Sequence, residues 1–418
     1  MLVLALTEQK LHPRHASARI FWIAPLVGAL LLLALGVLSP RDALSGLLAD
    51  SAVNPVKILV LFFAMTLMSV FLDEVGFFRY MANAVLSRAG SSQYRLFLLL
   101  YVAVSVLTVF TSNDIVVLTF TPFICYFARH AKIDPLPYLI CEFVAANTWS
   151  MMLIIGNPTN IYLAAGAGIT FAEYTAVMFL PTLLGGVVSL GVLLLLFSRR
   201  LREPMLPSVA HEYIRGRVSM ALALFSLGSC ILLMVLSSYL SLPMWLIAAG
   251  CCVFMYLSVL SERVLRHKDL APLGHSLLRA PFDVAPFVLS MFVLVMGLGK
   301  VGVTDLLSLL VLGNGEIFRT GSLSFLFANL VNNIPMSVLF SSVVAPNGVA
   351  SLPALYAAVI GSNVGAFFTP MGALAGIMWM TLLRQHDVKL SFGRFMLYGC
   401  ILSIPTLFAS LVGLFIVL

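Results

Sequence analysis

Phe110-Thr111-Ser112-Asn113-Asp114-Ile115 sets four consecutive polar residues between two apolar legs, residues 96–110 and 115–128. Val331-Asn332-Asn333-Ile334-Pro335-Met336 likewise interrupts two apolar legs, residues 322–331 and 336–344, with two asparagines and a proline. Non-helical polar backbone at membrane depth is tolerated only where protein or a water-lined cavity surrounds it. Each stretch therefore reads as the tip of a re-entrant hairpin. Basic residues flank the first hairpin on both sides: Arg79, Arg88 and Arg95 before it, Arg129, His130 and Lys132 after it. The flanks of the second, 313–321 and 345–352, hold Arg319 as their one basic residue. Positive charge marks the cytoplasmic side, so the two hairpins are expected to enter from opposite faces.

Each hairpin is followed by an apolar segment with a break. Residues 136–155 run into Gly156-Asn157-Pro158-Thr159-Asn160 and continue to about 167. Residues 353–360 meet Gly361-Ser362-Asn363-Val364-Gly365, with Thr369-Pro370-Met371-Gly372 beyond. Proline lacks the donor a helix needs and glycine admits unusual dihedrals, so both segments should unwind there. Other matches keep the same order: Val75-Gly76 with Val301-Gly302, Asn113-Asp114-Ile115 with Asn332-Asn333-Ile334, Ala146-Asn147 with Ser362-Asn363, and Asn157-Pro158-Thr159 with Thr369-Pro370-Met371. The expected architecture is an all-α polytopic membrane protein of two inverted repeats, each with a re-entrant hairpin and a broken transmembrane helix. The halves are 21–197 and 218–418, after a basic cytoplasmic tail (1–20) and around a basic cytoplasmic linker (198–217). The remaining spans are expected at 21–38, 56–72, 175–197, 218–236, 243–260, 286–299 and 395–418. Residues 262–279 and 384–394 should be cytoplasmic loops.

Composition agrees. The 418 residues are 61% hydrophobic and only 10% charged, where a soluble domain is about a quarter charged. No polar stretch is long enough for a separate soluble domain. The +7 net charge gathers in short connections, which argues against nucleic acid as a partner. The first apolar run, behind Lys10, Arg14 and Arg19, lacks a clear small-residue cleavage site and reads as a first span. The six cysteines form no CxxC or Cys/His ligand spacing, so neither a metal nor another cofactor is expected. There is no HExxH and no G-x-S-x-G, and an enzyme is not indicated.

The segments "FTSNDIVVLTFTPFI", "GNPTNIYLAAGAGI", "LVNNIPMSVLF" and "GSNVGAFFTPMGALAGIMWMTLL" together resemble the ion-transporter superfamily, most of all the arsenite efflux permeases and the citrate-transporter-like branch. The similarity runs over nearly the whole chain. It implies transport driven by an H⁺ or Na⁺ gradient, a solute site between the two hairpin tips, an inner-membrane location, a possible homodimer and, for the arsenite branch, a possible soluble ATPase partner. One departure is local. Gly365-Ala366-Phe367-Phe368-Thr369-Pro370 lacks the lysine that arsenite permeases tend to carry before this Thr-Pro, which leaves a carboxylate or inorganic-anion transporter as the alternative.

Asp114 is the candidate coupling residue, with Thr111 beside it. An ionised group at membrane depth costs several kcal/mol and is usually functional; a carboxylate there can take a proton or help to hold Na⁺. The bland alternative is a helix cap. Ser112, Asn113, Asn157, Thr159, Asn160, Asn332, Asn333, Ser362, Asn363 and Thr369 are the candidate solute contacts. Their amides and hydroxyls both donate and accept, and helix N-termini beside them favour anions. They could equally serve only to satisfy broken backbone. Pro122, Pro158, Pro335 and Pro370 are expected to set geometry. Glu142 and the Asp73-Glu74 pair read as interfacial or structural, and Lys300 as a snorkelling residue at the outer interface. No cysteine lies at a tip or a break, so thiolate binding of the solute is not expected.

Overall fold

The computed structural model describes residues 22–49, 54–165, 167–205, 216–346 and 349–418. The basic tail and ten residues of the basic linker (206–215) lie outside them. The described residues form helices and connections, with no strand among them. Before residue 206 the chain forms α1 (Ile23–Ala34), α2 (Pro40–Leu48), α3 (Pro55–Glu74), α4 (Phe77–Ala89), α5 (Gln93–Phe110), α6 (Asn113–Ala131), α7 (Leu136–Trp149), α8 (Pro158–Ala165) and α9 (Phe171–Phe197). After residue 215 it forms α10 (Arg217–Val235), α11 (Ser237–Leu240), α12 (Met244–Leu265), α13 (Ala271–Arg279), α14 (Val284–Lys300), α15 (Val303–Val311), α16 (Glu316–Val331), α17 (Asn333–Val343), α18 (Leu352–Gly365), α19 (Leu374–Gln385) and α20 (Phe392–Val417).

Among the described residues, seven helices are long and apolar enough to cross a membrane by length and composition, including α3, α5, α9, α10, α12 and α20. Their surroundings differ. The apolar window of α3 is 72% buried, whereas those of α9, α10 and α12 are 33% buried. α3 is thus a core helix. The others turn large apolar side chains outward, such as Leu195, Phe225 and Leu257, as a lipid-facing surface requires. α1 departs from the expected span. It has twelve residues and stops at Ala34, short of the roughly 20 that a bilayer core needs. The chain turns at Gly36 (φ 71°), and α2 starts behind Ser39, whose side chain accepts from the Asp42 amide, with Pro40 in its first turn. The expected loop at 262–279 is also largely helical: α12 runs on to Leu265, and α13 fills Ala271–Arg279.

Two runs of seven helices, α3–α9 and α14–α20, pack by the same scheme. α5 packs on α7 and α16 on α18; α7 packs on α9 and α18 on α20; α4 touches α6 and α15 touches α17. Several contacts cross between the runs. α6 packs on α19, and α17 packs on α8, so the return leg of each hairpin rests on the short helix after the other run's break. α9 and α20 pack along one another and join the runs. Gly76 (φ 86°) and Gly302 (φ 78°) each begin the second helix of their run in the left-handed region, which is why the sequence matches there. α10 and α12 pack on each other and on α3, at the edge of this body.

Candidate functional site

The helix breaks build the site. α7 ends at Trp149, six residues earlier than the sequence pattern suggested, and an irregular stretch with one 3₁₀ turn (Ile154–Gly156) carries the chain to Pro158. α18 ends at Gly365, and irregular chain carries on to Leu374. One separation, 216 residues, links the pairs Asn147–Asn363 and Pro158–Leu374 (363−147 and 374−158). On helix starts, therefore, Pro158 matches Leu374 rather than Pro370. The same separation pairs Gly156 with Gly372, and both glycines press on the end of the preceding helix. A Cβ on Gly156 would lie 2.3 Å from the Ser150 carbonyl oxygen, and one on Gly372 would lie 2.3 Å from that of Gly365. Only glycine lets either break fold back this tightly.

Within these breaks the amides converge. Asn363 is the hub. Its Oδ1 accepts from Ser150 Oγ (2.9 Å) and Asn157 Nδ2 (2.9 Å). Its Nδ2 donates to Asn160 Oδ1 (2.7 Å) and to the Val359 carbonyl one turn back (2.8 Å). Asn160 in turn donates to the carbonyls of Ser150 (2.8 Å) and Leu153 (3.0 Å), and Asn157 Oδ1 accepts from the Thr159 amide (3.1 Å). Three residues at the first break thus close on one residue in the last turn of the helix that leads into the second. Ser150, Asn160 and Asn363 have no exposed surface at all, so the structure describes a closed arrangement. An open cleft of about 300 Å³ lies elsewhere, at the basic-loop end, lined by Asp134, Arg200, Lys389 and Arg394 among others.

The first tip is loosely held. Ser112 precedes α6 in extended conformation without capping it. Asn113 Nδ2 donates to Asn147 Oδ1 (3.2 Å), while Asn113 Oδ1 is buried with no partner. Asn147 repeats the Asn363 pattern by donating to the carbonyl one turn back, that of Phe143 (2.8 Å). Asp114 sits in the first turn of α6, partly buried, with no hydrogen-bond or ion-pair partner among the described residues. The positive end of the helix faces it. Thr111 Oγ1 bonds back to the Leu107 carbonyl (2.6 Å). Thr159 Oγ1 is buried without a partner.

The second tip is braced. Asn332 has φ 80°, caps the Ile334 amide through Oδ1 (3.4 Å) and donates through Nδ2 to the Met371 carbonyl (3.1 Å). The Asn333 amide nitrogen donates to the Gly372 carbonyl (3.0 Å), and Ser337 Oγ caps back to the Asn333 carbonyl (2.8 Å). The Asn333 side chain is buried and has no partner among the described residues. Ser362 points to Ser337 Oγ (3.4 Å) and not into the amide cluster. Thr369 is clamped to α16, its amide and Oγ1 both donating to Asn329 Oδ1 (3.1 and 2.7 Å).

Of the sequence candidates, then, Asn157, Asn160 and Asn363 come together, Asn113 at the first tip reaches the first broken segment through Asn147, and Asn332, Asn333 and Thr369 belong to the bracing of the second tip. Sequence reading missed Ser150, Asn147 and Asn329. Asn147 was signalled by its match to Asn363; Asn329, three residues before Asn332, gave no comparable signal. Glu142 is fully buried rather than interfacial. Asp73 and Glu74 pair with Arg279, and Asp73 Oδ1 also accepts from Thr119 Oγ1 (2.9 Å). Lys300 Nζ bonds to Asp42 (2.6 Å) and holds its carboxyl below the usual range. Four of the six cysteines are buried, and none joins the amide cluster.

Apolar helices able to cross a bilayer, two broken helices and a buried amide cluster at the breaks define a multi-pass membrane transporter, not an enzyme. The comparisons narrow the class. The family model described as "Citrate transporter" matches residues 2–350, and the chain belongs to that family. It is 30% identical over 414 residues to an arsenical pump membrane protein of Escherichia coli (strain K12), covering 94% of this chain and 92% of that one. A putative arsenical pump membrane protein of Bacillus subtilis (strain 168) is 28% identical over 395 residues, 88% of each chain. The solved structure of the Alcanivorax borkumensis YdaH transporter, reported as having an unusual topology, superposes with a TM-score of 0.59 at 14% identity, covering 95% of this chain and 96% of that one. At that identity the likeness speaks for the fold alone.

Proposed function

We propose that this protein exports a small oxyanion or its neutral acid, most simply an arsenite-type solute, in exchange for protons across the bacterial inner membrane, with its N-terminus in the cytoplasm. The carrying observation is the closure of Ser150, Asn157 and Asn160 on Asn363 across the two breaks. Each member is neutral and both donates and accepts. Such a set can exchange its internal bonds for bonds to a solute bearing several hydroxyls without burying an uncompensated charge. Asp114, at the unbraced tip, supplies the one ionisable group of either tip and is the proton carrier of this reading; a Na⁺ ion held there is the variant form. The names of the relatives in Escherichia coli and Bacillus subtilis support the arsenical solute.

Transport on this reading is a rocking of the hairpins and broken helices against a frame of α3, α10 and α12. The two runs of helices point oppositely in the membrane. The frame's lipid-facing surface is where a second copy docks, and a soluble ATPase partner, if one is recruited, meets the basic loops. A second reading, a carboxylate transporter coupled to H⁺ or Na⁺, is favoured by the matching family model and by the absence of a lysine at 366–368.

Reconstitution in liposomes under an imposed proton gradient decides between them. Arsenite accumulation that collapses with the gradient, with no citrate or succinate flux, is expected. Carboxylate flux without arsenite flux would replace the first reading with the second.

A further inference from the structure

Glu142 is unused by the site described so far. It lies on α7, five residues before Asn147 and so about 7.5 Å from it along the helix axis, on the side of the α7 N-terminus. Its side chain has no exposed surface. Its partner is a single hydroxyl, Thr121 Oγ1 of α6, at 3.1 Å from both carboxyl oxygens. Thr121 lies seven residues, two helical turns, after Asp114 and thus on the same face of α6.

The rest of the surroundings are apolar or neutral. Trp379 of α19 brings its indole N–H up to the carboxyl, close beside it but short of hydrogen-bond geometry. Its ring stacks on Phe143 at 4.8 Å, and its Nε1–H is buried without a hydrogen-bond partner. Phe395 of α20 closes over both rings. The titratable side chains that face Glu142 are two thiols, Cys125 of α6 and Cys141 of α7. The other packed elements bring no counter-charge. α18 has no charged residue, and α5 and α9 have one each, Arg95 and Glu173. On α6, Arg129 turns away to the His386 carbonyl and Asp387; Arg394, at the start of α20, lines the open cleft. Arg384 of α19 forms no ion pair with it among the described residues.

A bare carboxylate with one hydroxyl donor and no cation is costly at this depth. The unpartnered indole N–H beside it is the second donor that an ionised form needs. We propose that Glu142 is a second proton site of the transport cycle, protonated in this closed arrangement and ionised, with the Trp379 N–H turned onto it, when the path to the α7 N-terminus opens. The step is a bare proton exchange with water at that end, with no other bond made or broken. The use of the proton rests on the transport reading above; its binding does not.

The test separates the two. In the reconstituted protein with Trp22, Trp149 and Trp245 replaced by phenylalanine, Trp379 emission is titrated from acid to alkaline pH. A single titration is expected, absent in Glu142→Gln and moved to higher pH by about one unit in Thr121→Val, where the hydroxyl that favours the charged form is lost. An emission titration that Glu142→Gln leaves in place, or none at all in the parent, overturns the proposal. Solute flux is then followed against pH in Glu142→Gln. A profile identical to the parent's overturns the role in the cycle even if the optical titration holds. Absence of oxyanion flux in the parent counts against the transport reading alone, and the emission still decides whether Glu142 binds the proton.

Discussion

The two hairpin tips occupy matching places in the fold and are held in opposite ways. The second is tied through main chain and side chain: Asn332 to Met371, the Asn333 amide to Gly372, and Asn329 to Thr369. The first has one side-chain bond to its neighbour, Asn113 to Asn147, and leaves Asn113 Oδ1 and Asp114 without partners. Buried polar groups are nearly always paired, and exceptions call for a functional reason. On the function proposed above, the braced tip is a fixed wall and the unbraced tip the place where the coupling ion makes the missing bonds.

Breaking this contrast at its strongest point gives the largest effect. Asp114→Asn keeps the shape and removes the titratable group. Proton-driven accumulation in liposomes is expected to fall to the background of empty vesicles, while downhill exchange and thermal stability persist. Undiminished pH- and Na⁺-dependent accumulation in this variant would remove Asp114 from the coupling role.

A smaller effect is expected at the hubs. Asn363→Ala strips Ser150, Asn157 and Asn160 of a partner at once, at about 1–3 kcal/mol for each buried group left unpaired. Asn147→Ala removes one partner, that of Asn113. The melting temperature of the detergent-solubilised protein should therefore fall well below the parent's for Asn363→Ala and by clearly less for Asn147→Ala. Equal losses would mean that the cluster does not join the two halves asymmetrically.

How far this was readable beforehand follows from the physics of each element. The hairpin tips and the breaks stand out in the sequence because polar residues, glycine and proline are expensive inside apolar runs, so their positions announce themselves. The position of the first break was misread because nothing between Ser150 and Ile155 looks like a breaker. The cause is remote: the Ser150 carbonyl is claimed by Asn160, and its neighbourhood by a glycine six residues on. For Glu142 the sequence left interfacial and structural readings open, because its depth depends on how α6, α7 and α19 pack, which a linear pattern does not carry. Ser362 was grouped with Asn363 by adjacency, yet neighbouring residues on a helix point about 100° apart, and only one of them faces the first break.

The mildest change sharpens the comparison at the helix starts themselves. Asn332 holds φ 80° and caps α17; Ser112 is extended and caps nothing. Asn332→Ala keeps the Cβ that this positive-φ backbone disfavours and loses both the bond to the Met371 carbonyl and a cap worth about 1 kcal/mol. Asn332→Gly removes the strain and, as a cap, costs only a few tenths of a kcal/mol, so it should recover most of the stability that alanine loses. Ser112→Ala should leave the melting temperature nearly unchanged, because no bond to the backbone is there to lose. A destabilisation by Ser112→Ala as large as that by Asn332→Ala would show the first tip to be braced after all, and the division into a fixed and a responsive tip would fail with it.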